Sequence, residues 1–113
     1  MILSAAGLLK GVVATYHWGS FNFLQSLGAI PTDERVVRHE KIVTSAGVSS
    51  GIDMALQLVA WEFGEDISKG AQLILEYDPQ LPFDAGSIKK APAPLVEKMK
   101  KALQEISNKD SVM

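Results

Sequence analysis

The stretch "TSAGVSSGIDMALQLVAWEFG", residues 44–64, constrains the fold most. A β-branched run ends in small residues, and an apolar pattern at helical spacing follows at once. That order reads as a strand that stops in a tight turn and feeds straight into a helix. Ile52, Ala55, Val59 and Phe63 recur at i, i+3, i+7 and i+11, so they are the expected inner stripe of the helix. Ser49 or Ser50 is its expected cap, and Gly64 its stop. Strands that enter helices this way belong to layered α/β folds.

The neighbouring segments agree. "MILSAAGLLKG" reads as the back half of a helix ending at Gly11, and "VVAT", residues 12–15, as a short strand buried on both faces. Thr15 is the expected cap of a helix through "YHWGSFNFLQSLG", which Gly28 closes. "AIPTDE" reads as a connection. "RVVRHEKIVTS" reads as two short strands turning at His39 and Glu40, although such a turn usually recruits Gly or Asn. "EDISKGAQLILEY" restarts a helix with acids in its first turn, where the helix dipole favours them. A proline-punctuated loop, "DPQLPFDAGS", then leads to an amphipathic helix lined by Leu95, Met99, Leu103 and Ile106. The expected class is α/β, a short sheet packed by helices, with one domain over residues 1–88 and a helix with a frayed tail over 89–113.

Charge and cysteine content narrow the function. A net charge of −2 makes no case for nucleic acid or an anionic membrane. The lysine-rich C-terminal helix reads as a solvated face. The chain has no cysteine, which excludes disulfides, thiolate metal sites and a cysteine nucleophile within it. No basic residue precedes the opening apolar run, which is too short to span a bilayer. A cytoplasmic protein is expected.

His17, between Tyr16 and Trp18, falls just past the carboxyl end of a strand, where open α/β sheets bind ligands. It could serve as a base or an orienting group, or simply pack. "AGVSSG" offers backbone N–H groups at a helix start, suited to an anion or developing oxyanion, but lacks the lysine and glycines of a phosphate loop. Ordinary capping explains it equally well. Asp53, at the same helix start, reads as serving the dipole. Two histidines 22 residues apart carry no metal-ligand spacing. No metal and no cofactor are expected.

"AAGLLKG", "ATYHW", "ERVVRHEKIVTSAGVSSGIDMALQLV" and "EYDPQLPFDAGS" occur in the order and spacing of the ThiJ/PfpI superfamily, which is glutamine-amidotransferase-like. The chain resembles that family from residue 1 to about residue 88, and specifically its isonitrile hydratase-like branch. The resemblance implies the C-terminal half of a flavodoxin-like sandwich. In the family a cysteine on a strand-to-helix elbow is the nucleophile; the resemblance puts it a few residues ahead of Met1, with its acidic partner further upstream. It implies that His17 is the histidine near that nucleophile. Thr15, Trp18, Gly47, Val48 and Ser49 would line the pocket. Departures are Tyr16 for a threonine, His39-Glu40 for an aspartate-glycine type of turn, and Leu81 for a proline. The expected function is therefore an isonitrile hydratase-like protein that is catalytically incomplete alone. The alternative is a non-enzymatic oligomerising or partner-binding module. The expected partners are further copies, as a homodimer or larger assembly, or a complementary N-terminal half.

Overall fold

The computed structural model describes residues 6–112. Residues 6–11 form turns, and the start of the expected opening helix lies outside the described residues. The chain divides into two compact units, Met1–Asp78 and Pro79–Met113.

Unit 1 begins its sheet with β1 (Val13–Ala14), followed by a 3-10 turn (Trp18–Ser20) and α1 (Phe21–Ser26). The expected connection at residues 29–34 contains a strand instead: β2 (Ile30–Pro31) pairs parallel with β1, Val13 opposite Ile30. Pro31 has no N–H to give, but the N–H groups of Ile30 and Thr32 on either side donate to the Val12 and Ala14 carbonyls at 2.8 and 2.9 Å. A proline is tolerated where the ladder does not need its donor.

The return from α1 to β2 depends on Gly28. Its φ is +94°, and a Cβ there would meet Lys10 Cγ at 3.2 Å. Its carbonyl accepts from Gly11 N–H at 2.8 Å, which closes the loop on itself. Leu9, Ala14, Leu24 and Ala29 form the small core beneath, with Val12 and Ile42 packed against it.

β3 (Val36–His39) and β4 (Ile42–Ser45) form an antiparallel hairpin in which His39 faces Ile42. The turn therefore lies at Glu40 and Lys41, one residue later than the sequence suggests. Glu40 takes φ +56°, a left-handed conformation that costs a side chain energy. The register that aligns Val37 with Thr44 sets the position of the turn.

α2 (Ser50–Phe63) and α3 (Glu65–Leu75) pack on each other. Ser49 occupies the N-cap position of α2, one of the two expected, and its side chain makes no capping bond. Ser50 is buried inside the helix and its hydroxyl donates back to the Gly47 carbonyl at 2.5 Å. Thr15 caps nothing, because His17 takes that role further on. Gly64, φ +99°, breaks the helix as expected. Ser68 Oγ then donates to Leu56 O at 2.6 Å and ties α3 to α2. Of the expected inner stripe only Val59 is half-buried. Ile52, Ala55 and Phe63 are exposed, while Met54, Leu56 and Ala60 are half-buried.

Unit 2 holds the proline loop, in which Lys90 pairs with Asp84 at 3.1 Å, and α4 (Ala93–Val112). The N–H groups of Leu95 and Val96 both donate to Pro92 O at its start. Pro94 lies in the first turn of α4, where its missing N–H costs no helix bond.

Candidate functional site

The carboxyl end of β1 and the turn before α2 bring His17 and Gly47 together. His17 ends an extended segment (φ −55°, ψ 135°) and caps the 3-10 turn that follows. Its Nδ1 accepts from Gly19 N–H at 3.1 Å. With Nδ1 occupied as an acceptor, the neutral ring carries its proton on Nε2 and offers a donor there. The ring stacks on Trp18, with centroids 5.4 Å apart and planes at 29°. Gly47 lies alongside: a Cβ on it would sit 3.6 Å from His17 Cδ2. The site thus has an imidazole oriented by a backbone N–H, an aromatic ring stacked on it and a backbone segment that approaches the ring closely.

The other sequence candidates flank this pair along the chain. Thr15 is buried, 2% exposed, and its Oγ1 has no hydrogen-bond partner. Its N–H donates to Thr44 Oγ1 at 3.0 Å. Ser49 is exposed, and Val48, next to Gly47, is 98% exposed. Among the described residues no cluster of three His, Cys, Asp or Glu could hold a metal ion, and no helix is long and apolar enough to cross a membrane.

Two features escaped sequence reasoning. First, His39 is not a free turn residue. Its Nδ1 accepts from Val13 N–H at 3.2 Å. With Thr44, it satisfies the N–H groups along the edge of β1 that faces away from β2. Nothing in the local sequence signals this, because the partners are 26 and 29 residues apart. Second, Asp53 accepts from Tyr77 OH at 2.5 Å and from Arg35 Nε at 2.6 Å. Burial works against the carboxylate, but the Tyr77 hydrogen bond and the Arg35 guanidinium outweigh it and hold its pKa below the ordinary value. The bond to Asp53 in turn pushes the Tyr77 hydroxyl pKa up.

Short strands packed by helices, with His17 past the end of β1, make an α/β layer arrangement. Residues 1–61 match the DJ-1/PfpI family, and the chain belongs to that family. It is 46% identical over 101 residues to the isonitrile hydratase of Pseudomonas putida, a match covering 89% of this chain and 44% of that protein. A crystal structure of a ThiJ/PfpI family protein from Pseudomonas syringae superposes with a TM-score of 0.87 at 47% identity. That match covers 96% of this chain and 45% of the other. The chain thus spans less than half the length of the relatives it matches.

Proposed function

We propose that this chain carries part of an isonitrile hydratase-like site and is catalytically incomplete alone. The reaction adds water across an isonitrile, R–NC + H2O giving R–NH–CHO: a thiolate attacks the isonitrile carbon, which takes up a proton to give a thioimidate, and water then adds to that carbon and expels the thiolate. This chain has no cysteine to supply that thiolate. Its contribution is the imidazole. The Gly19 N–H to His17 Nδ1 bond supports the reading most directly, because it presents an Nε2–H donor beside Gly47. Such a donor suits the hydrogen-bonding of a thiolate or the delivery of a proton to the carbon that becomes the formyl group. Trp18 fits the apolar R group. A cytoplasmic setting, which keeps a thiolate partner reduced, accords with this reading.

The test is turnover of an aliphatic isonitrile, followed by the loss of its infrared stretch and the appearance of the formamide proton by NMR. The chain alone is expected to be inert. A fusion to the unmatched portion of the Pseudomonas putida isonitrile hydratase is expected to turn over. His17→Ala in that fusion should then lower kcat by about 10²-fold or more. Formamide production by the chain alone would overturn the proposed incompleteness. A second reading, a non-enzymatic oligomerising or partner-binding module, is favoured by the exposed apolar side chains of α2 and α3. A fusion that folds but converts no isonitrile would leave that reading in front.

A further inference from the structure

The His17 ring and the Gly47 turn reach the site from different strands. β1 ends at Ala14, and Thr15 and Tyr16 lead from it to His17. β4 ends at Ser45, and Ala46 leads from it to Gly47. Among the described residues β1 and β4 belong to separate two-stranded sheets, so no ladder sets the spacing between them. A side chain joins them instead. Thr44 Oγ1, on β4, accepts from Thr15 N–H at 3.0 Å, close to where each segment departs for the site.

Each segment is also held within itself. His17 Nδ1 takes the Gly19 N–H at 3.1 Å, and its carbonyl takes the Ser20 N–H at 2.9 Å. On the other side the Gly47 carbonyl accepts from the N–H and the hydroxyl of Ser50, at 3.1 and 2.5 Å. The freedom that remains is the placement of one segment against the other, and the bond from Thr15 to Thr44 lies where that placement is set. Water cannot readily stand in for Thr44, because Thr15 is 2% exposed. Threonine is β-branched and has few χ1 choices, which keeps Oγ1 aimed at its donor.

We propose that Thr44 is a positioning residue for His17: by accepting the Thr15 N–H, its hydroxyl sets the imidazole against Gly47. This rests on the reading of His17 as the imidazole of an isonitrile hydratase-like site, and it adds the residue that holds that imidazole in place.

The experiment uses the isotope-labelled chain in solution NMR. A Cβ on Gly47 would sit 3.6 Å from His17 Cδ2, so the Overhauser contact between His17 Hδ2 and the Gly47 α-protons reads the placement directly. The parent should show it. Thr44→Val, which loses the acceptor, should abolish or strongly weaken it, and Thr44→Ser, which keeps the acceptor, should retain it. His39→Phe removes the acceptor of the Val13 N–H, earlier on the same strand; it is the control for a general loss of stability and should leave the contact in place. If the valine variant does not fold, Thr44→Ala takes its place beside Thr44→Ser, since both lack the methyl group and differ in the acceptor. In the fusion to the unmatched portion of the Pseudomonas putida isonitrile hydratase, Thr44→Val should lower kcat about 10-fold or more with KM little changed, the effect of a misplaced group. Thr44→Ser should rescue it.

The proposal is overturned if the parent lacks the contact, if the contact survives removal of the acceptor, or if Thr44→Ser loses it. It is equally overturned if His39→Phe loses the contact to the same degree, or if neither Thr44→Val nor Thr44→Ala folds, because the hydroxyl then serves the fold rather than the imidazole. The contact is read without substrate. An imidazole that moves as expected, in a fusion that converts no isonitrile, would sink the functional reading and leave the positioning intact; an active fusion whose kcat ignores Thr44→Val would do the reverse.

Discussion

Asp53 shows how one side chain can hold three segments. Its two oxygens take bonds from Arg35, ahead of the hairpin, and from Tyr77, after α3, while the residue sits in the first turn of α2. Its pKa in the fold lies below the unfolded value. The stabilisation is therefore complete above the ordinary carboxylate value of 3.8 and is lost as pH falls through the lower folded value. Tyr77 shows the opposite sign: its raised pKa gives stabilisation that is complete below 10.0 and is lost as pH rises past the folded value. Urea unfolding across pH should show a steeper loss below pH 4 for the parent chain than for Asp53→Asn. Asp53→Asn should be less stable at pH 7 and converge with the parent at low pH. Parallel acid limbs in the two proteins would contradict this account of the network.

At the scale of elements, the hairpin and the first strand are joined by side chains rather than by a ladder. Val13 and Thr15 donate to His39 Nδ1 and Thr44 Oγ1, and both receivers lie on strands β3 and β4. An acceptor removed from beneath a half-buried or buried N–H leaves that group unsatisfied, at a cost of about 1–3 kcal/mol. Thr44→Val keeps the shape and β-branching of the residue while removing the acceptor. It is expected to lower stability by roughly 1–2 kcal/mol and to speed amide exchange at Thr15. His39→Phe should do the same at Val13. If amide protection at Val13 and Thr15 survives both substitutions, the hairpin is not what holds the edge of β1. Arg38 adds a further link, its guanidinium 4.6 Å from the Trp61 ring centre, between β3 and α2.

For the molecule as a whole, the apolar residues are unevenly employed. The core of unit 1 rests on Leu9, Ala14, Leu24 and Ala29, whereas Phe63, Ile67, Leu73, Ile74 and Leu75 remain exposed. Stability should follow burial rather than side-chain size. Leu24→Ala is expected to cost about 2–4 kcal/mol. Phe63→Ser, which removes a larger side chain, should cost under about 0.5 kcal/mol in the free chain. Chemical unfolding of the two variants measures both, and a larger loss for Phe63→Ser would mean that the stripe is covered within the chain itself.

Local chemistry made much of this legible in the sequence alone. The α/β class, the break at Gly64, the closure at Gly28 and the position of His17 just past a strand all follow from backbone preferences and periodicity over a few residues. The second parallel strand was not legible, because two residues that include a proline carry no pairing signal until β1 lies beside them. Neither was the face that α2 buries. Its apolar residues satisfy helical spacing on more than one side, and the packing of α3 and of the hairpin against it selects between them. The roles of His39 and Thr44 depend on contacts across 26 and 29 residues, and local preference has no reach over that distance. Sequence determined which segments turn, extend or coil, since those choices are made by neighbouring atoms. Tertiary structure decided which faces are buried and which polar groups meet, because burial and long-range hydrogen bonds exist only once the segments are packed.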